Sequence, residues 1–151
     1  MKLRRVFSVL LSVLLLIGSG SAFADTAITS REEQVANFKA KYDPKFDKAY
    51  ADYMKFKTKL LLDPSTKATF SSVIDDINEV RRTINGNLAN PTAPMQPIIE
   101  YAEEELGEFV VTRYQLEKLA AKIKTISCIK GKTTKKVSGL SPKCPSGYKK
   151  K

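Results

Sequence analysis

The chain has 151 residues and a formal net charge of +10, which suits one small domain or one domain with an appendage. It contains no tryptophan and no histidine. The missing histidine removes the commonest general base and the commonest transition-metal ligand. We therefore expect a protein that has no catalytic residues, no cofactor and no metal site.

The N-terminal residues have the layout of a secretory signal peptide. A basic start, residues 2–5, precedes an apolar stretch, residues 6–17, and small residues then lead up to Ala24. An uncleaved membrane anchor is the alternative, but a span needs about 20 apolar residues and this stretch has about a dozen. We expect cleavage after Ala24, which removes residues 1–24 and yields a secreted or envelope-associated protein.

Residues 25–124 have the spacing of amphipathic helices. Ser30 and Glu33 are predicted to form a capping box, and apolar residues then recur every three or four positions. Pro44 interrupts this seam, so a kink or a tight restart is expected there. The aromatic members favour core packing over a ligand groove. The seam consists of Val35, Phe38, Tyr42, Phe46, Ala49, Tyr53, Phe56 and Leu60.

Two further stripes follow. Asp63-Pro64 predicts a stop and a new start, and a stripe then runs from Phe70 to Ile84. Asn85-Gly86-Asn87 is expected to end that helix. Three prolines in residues 90–97 predict a loop, and the last stripe runs from Ile98 to Ile123.

Short connections between long helices favour antiparallel neighbours. We therefore predict an all-α fold, an antiparallel three-helix bundle with four shorter helices as the variant. Exposed seam residues would equally support self-association through helices, as in a coiled coil, or a protein partner. A small tail, residues 125–151, completes the predicted architecture.

The tail changes from helical to β-type patterning. Two β-favouring segments, residues 125–129 and 133–137, flank the predicted turn at Gly131. Prolines and Gly147 then exclude a regular helix. We expect a small β-hairpin whose register the residues leave open.

Cys128 and Cys144 are the only cysteines. In an exported chain they are expected to form one disulfide, which closes the hairpin with the returning segment. Two cysteines without histidine do not complete a zinc site of the usual kind. Free thiols would need a reducing compartment, which the predicted export argues against.

Positive charge is concentrated in the tail. Residues 25–127 carry 15 Lys and Arg against 16 Asp and Glu, whereas residues 128–151 carry 8 lysines and no acid. This asymmetry favours a tail that binds an anionic envelope polymer or another acidic surface, with a merely solubilising role as the alternative. The predicted polyanion-binding residues are Lys130, Lys132, Lys135, Lys136, Lys143, Lys149, Lys150 and Lys151.

Two other functions stay open. A small wall-acting hydrolase would use the carboxylates of Glu103, Glu104, Glu105 or Glu108, although acids near a helix start are more typical of a solvated face. An exported nucleic-acid binder would use the lysines, but the export signal weighs against it. No small-molecule substrate is evident.

The segments ISCIKGKTTKKV (residues 126–137) and PKCPSGYKK (residues 142–150) resemble a known module. It is a short lysine-rich two-cysteine module that ends many otherwise unrelated secreted actinobacterial proteins. The shared pattern is C-x-K-G-K-x-T-K-K-V, a spacer, and K-C-P-x-G-Y-K-K. The resemblance covers the tail alone and brings no activity with it. The recurrence of the module on varied proteins implies a sorting or surface-retention role.

Overall fold

A computed structural model describes residues 29–151 as four helices and a small antiparallel sheet. The predicted signal peptide, residues 1–24, lies outside the described residues. Within residues 29–151 no helix has both the length and the apolarity needed to cross a membrane. The elements are α1 (Arg31–Met54), α2 (Lys57–Leu60), α3 (Pro64–Ala89), α4 (Met95–Lys122), β1 (Lys124–Lys130), β2 (Thr133–Gly139) and β3 (Lys149–Lys150).

The first helix begins at the predicted cap, Ser30, and is not interrupted by Pro44. Ser30 Oγ accepts a hydrogen bond from the backbone N–H of Glu33 at 3.2 Å. α1 continues through Pro44, so of the two predicted alternatives, a kink or a restart, the restart is wrong. A proline inside a helix costs about 3 kcal/mol. Tyr42 and Phe46, buried on either side of it, keep one helical face in the core.

The third helix confirms one predicted boundary and corrects another. Asp63 caps α3, since its Oδ1 accepts a hydrogen bond from the backbone N–H of Ser65 at 3.0 Å. The predicted end at Asn85-Gly86-Asn87 is wrong, because α3 reaches Ala89. Leu88 is buried just beyond the predicted end. Its packing extends the apolar stripe and outweighs the poor helix propensity of glycine and asparagine.

The core lies between α1, α3 and α4, and the aromatic stripe of α1 belongs to it as predicted. The ring of Phe109 on α4 meets Phe46 and Tyr53 edge-on, with centroids 6.0 and 6.1 Å apart. The buried Tyr53 hydroxyl donates to the Phe109 carbonyl at 3.1 Å. This bond satisfies a polar group that would otherwise destabilise the core.

Polar contacts show the directions in which the helices run. Arg31, at the start of α1, donates to the carbonyl of Asn90 just after α3, at 3.2 Å. Further along α1, Asp47 pairs with Arg81 at 2.6 Å. From the first contact to the second, the residue number rises in α1 and falls in α3, so the two helices are antiparallel. Between α1 and α4, Tyr42 contacts Glu103 and Tyr53 contacts Phe109. The residue number rises in both helices, so α1 and α4 run in the same direction.

Candidate functional site

The tail forms a three-stranded sheet in the order β2-β1-β3. β1 pairs with β2 along all seven residues of each strand, which confirms the predicted hairpin and sets its register. Gly131 in the turn has φ of +57°, a conformation that glycine adopts without steric cost. β3 pairs Lys150 with Cys128 on the other side of β1, and sequence reasoning missed this third strand.

Cys128 and Cys144 form the predicted disulfide, with their Cα atoms 5.6 Å apart. It ties the returning segment to the middle of β1, where Cys128 is fully buried. Beyond it, the backbone N–H of Tyr148 donates to the carbonyl of Pro145 at 3.0 Å in a turn that contains Gly147 at φ +78°. The disulfide and this turn together position the last lysines on the sheet.

The sheet distributes its lysines over both faces, because successive strand residues point to opposite sides. β1 and its two neighbours are in register, so residues paired across strands share a face. The face that contains Cys128 carries Lys130, Lys135 and Lys150, and the opposite face carries Lys136, Lys149 and Lys151. Lys132 lies in the turn, and Lys143 lies in the returning segment.

On each face two of these lysines form a row across the central strand. Lys135 and Lys150 both pair with Cys128, one from each side. Adjacent strands lie about 4.8 Å apart, so the backbones of these two lysines are about 10 Å apart. On the other face, Lys136 and Lys151 form a second row, one on each side of Ser127.

Two ammonium groups lie close to the ring of Tyr148. Lys130 Nζ is 6.0 Å and Lys135 Nζ is 5.3 Å from the centre of its ring. Cation–π attraction draws both groups to the same aromatic ring. The half-buried ring therefore adds an amphipathic element among the exposed lysines.

All eight predicted lysines are exposed, and none forms a salt bridge with an acid of residues 29–151. The salt bridges in this part of the chain all join residues between Lys41 and Glu103. The positive charge of the tail is thus not neutralised by the described helical acids. We call this set the tail lysines: Lys130, Lys132, Lys135, Lys136, Lys143, Lys149, Lys150 and Lys151.

Asp63 joins the sheet to the helices, a role that sequence reasoning missed. Its Oδ2 accepts a hydrogen bond from the backbone N–H of Leu140 at 3.2 Å. A Cβ added to Gly139 would lie 2.9 Å from the same oxygen, so glycine permits the approach. Hydrogen bonds from the Ser65 hydroxyl and then from the Leu140 N–H hold the pKa of Asp63 below its usual value. The sequence pattern predicted that Asp63 caps α3. Nothing in the sequence near residue 63 indicates its second partner, Leu140, which lies 77 positions away.

The acids considered for a hydrolase are spread around α4. Glu103 accepts a hydrogen bond from the Tyr42 hydroxyl at 2.5 Å, and this bond lowers the pKa of Glu103, the opposite of what a general acid needs. Glu104 and Glu108 are exposed, and burial raises the pKa of Glu105. In residues 29–151 no three His, Cys, Asp or Glu side chains come together as metal ligands.

No family model, no curated protein and no solved structure matches this chain.

Proposed function

We propose that this is a secreted, non-enzymatic helical protein that its basic tail retains at the cell envelope by binding anionic surface polymers. The observation that supports this most directly is the exposure of the tail lysines, without salt bridges to the acids of residues 29–151. Residues 1–24 would direct export. The disulfide is compatible with the oxidising compartment that export would reach.

In this proposal the helices form an antiparallel three-helix bundle. α1, α3 and α4 would be its arms, and α2 would be one short turn in the first connection. The antiparallel contacts of α1 with α3 support it, as does the core contact of Tyr53 with Phe109. The sheet would extend from the end of α4, where Asp63 secures it.

Binding would be electrostatic and multivalent. Wall polymers, acidic glycans and anionic lipid headgroups carry repeated negative charges. The two lysines of one row, whose backbones are about 10 Å apart, would contact several of these charges at once. Lysine is a flexible point charge without the fixed fork of arginine, which favours a general polyanion over one defined ligand. The screening length falls from about 10 Å at 0.1 M salt to about 3 Å at 1 M, so high salt should release the protein.

The test compares the wild type with a variant in which four strand lysines become glutamine. Glutamine removes the charge and keeps a long polar side chain, and the substitutions leave the disulfide and the backbone pairing of the sheet in place. We expect the wild type in the envelope fraction, released by a wash with about 1 M salt, and the variant in the medium. The four positions are Lys135, Lys136, Lys149 and Lys150.

The matched control removes the same amount of charge from the helical part. Lys39, Lys57, Lys59 and Lys67 are exposed, and none forms a salt bridge with the acids of residues 29–151. Changed to glutamine, they should leave the protein in the envelope fraction. Identical fractionation of the tail and helix variants would rule out the tail lysines as the retention element.

A further inference from the structure

The exposed side of α4 carries a small apolar patch at its middle. Val110, Val111 and Tyr114 are 64%, 56% and 52% exposed, whereas Phe109 and Leu116 on the other side are buried in the core. Beside the patch, a Cβ added to Gly107 would meet nothing within 4 Å, so the helix surface is open at that position. Contiguous apolar side chains on an exposed helix face are typical of an interaction surface. We call Gly107, Val110, Val111 and Tyr114 the α4 patch.

Charges flank the α4 patch with opposite signs at its two ends. Glu104 lies seven positions before Val111 and Lys118 lies seven positions after it, which places the Cα atom of each about 10 Å from that of Val111 along the axis. The Lys118 ammonium reaches over the ring of Tyr114, with Nζ 4.3 Å from the ring centre. Glu100 and Lys122 repeat this relation at eleven positions. All four charged side chains are exposed.

We propose that a second copy of this chain docks on the α4 patch, with the two α4 helices antiparallel about a two-fold axis near Val111. Such an axis puts Glu104 of each copy opposite Lys118 of the other, so each pair forms twice. It also brings Tyr114 of one copy close to Gly107 of the other. The apolar centre and both charged ends are thereby matched in one arrangement.

The charge order favours a second copy over a partner of a single charge sign. A uniformly anionic partner would be attracted to Lys118 and repelled by Glu104, and a cationic partner would meet the reverse. A self-complementary surface satisfies both ends at once. This inference stands independently of the tail, because it uses none of the tail lysines.

The proposed interface is small. Stable complexes bury about 800 Å² on each partner, and one pair of crossing helices buries less. The dimer should therefore be reversible, with a dissociation constant of roughly 10–100 μM. Sedimentation velocity of the purified protein across this range should show a shift from monomer to dimer.

Val111→Glu is the disrupting variant. The side chain is exposed in the monomer, so the helix should fold normally, while two carboxylates would meet at the axis of the dimer. We expect dimerisation at least about tenfold weaker. Asn78→Glu, an equal charge change at an exposed position of α3, is the matched control and should dimerise like the wild type. Equal dimerisation of the two variants would overturn the proposal, as would a wild type that stays monomeric up to about 1 mM.

A charge exchange tests the antiparallel orientation. Glu104→Lys alone and Lys118→Glu alone each create two like-charge contacts across the axis and should weaken the dimer. The double variant restores opposite charges at both contacts and should recover most of the affinity of the wild type. A double variant no better than the two single ones would show that these residues do not face each other.

Discussion

At Asp63 the two oxygens of one carboxylate serve different parts of the molecule. Oδ1 accepts hydrogen bonds from N–H groups at the start of α3, and Oδ2 accepts one from the backbone N–H of Leu140 in the tail. Asparagine caps a helix about as well as aspartate does. Its amide nitrogen, however, donates and does not accept, so Asp63→Asn separates the two roles.

We expect Asp63→Asn to loosen the tail while leaving the helices intact. One amide oxygen still caps α3, but the Leu140 N–H loses its acceptor. Hydrogen exchange at that amide should become roughly tenfold faster. The melting temperature of the helices should change little. Exchange should be followed residue by residue with nuclear magnetic resonance near pH 6, where the wild-type carboxylate is ionised.

Asp75→Asn is the control, since it removes the same charge from an exposed site on α3. Unchanged exchange at Leu140 in Asp63→Asn would mean that Asp63 does not hold the tail.

The pH dependence of exchange in the wild type tests the same contact. Because the pKa of Asp63 is lowered in the folded protein, its contribution is complete above the unfolded value of about 3.9 and disappears as the pH falls through the folded value. Acid should therefore loosen the tail of the wild type but not that of Asp63→Asn.

At the scale of elements, β3 depends on a covalent link. It has two residues, Lys149 and Lys150, and an isolated strand of that length has little stability of its own. The disulfide links Cys144 to Cys128 in β1. The turn that ends at Tyr148 then places β3 beside β1. The lysine rows across the sheet consequently require the disulfide.

Replacing Cys128 and Cys144 together with serine should release β3. A disulfide that closes a loop of about 15 residues stabilises by about 3 kcal/mol, which exceeds what a two-residue strand supplies. The amide of Lys151, which donates to the Ser127 carbonyl at 2.9 Å, should lose its protection from exchange, while amides in α1 and α4 keep theirs. Mild reduction of the wild type should give the same result. Persistent protection of Lys151 would contradict the dependence of β3 on the disulfide.

The elements that the sequence predicted correctly have local causes. The caps at Ser30 and Asp63 are satisfied within three residues, and the hairpin depends on a turn glycine between two β-favouring segments. At Pro44 the restart alternative fails because α1 continues, and at Asn85-Gly86-Asn87 the predicted end fails because α3 continues. Both continuations have a tertiary cause. At both places buried neighbours outweigh a local preference for ending the helix.

The candidate site divides in the same way. The tail lysines were identifiable because charge density is a property of composition. Their division between two faces was not, because it depends on a register that the pairing with β2 and β3 sets. The anchoring role of Asp63 was also hidden, since it joins residues 77 positions apart.

At the scale of the whole molecule, the proposed dimer and the proposed tail function combine. Each sheet starts directly after the C-terminal end of α4, and the 28 residues of that helix span about 42 Å. An antiparallel pair of α4 helices would therefore carry its two sheets at opposite ends. Such a dimer would hold two polymer chains at once, and its two tails would bind one extended surface with higher avidity.

Beads coated with an anionic polymer test this combination. The wild type, at concentrations where it dimerises, should aggregate the beads, because each dimer links two surfaces. Val111→Glu should coat the beads without aggregating them, since its tail is intact and its dimer is not. The variant with glutamine at Lys135, Lys136, Lys149 and Lys150 should neither coat nor aggregate them. A wash with about 1 M salt should disperse the wild-type aggregates. If Val111→Glu aggregated the beads as strongly as the wild type, one chain would be enough for bridging, and the sheet itself, with lysines on both of its faces, would be the linking element.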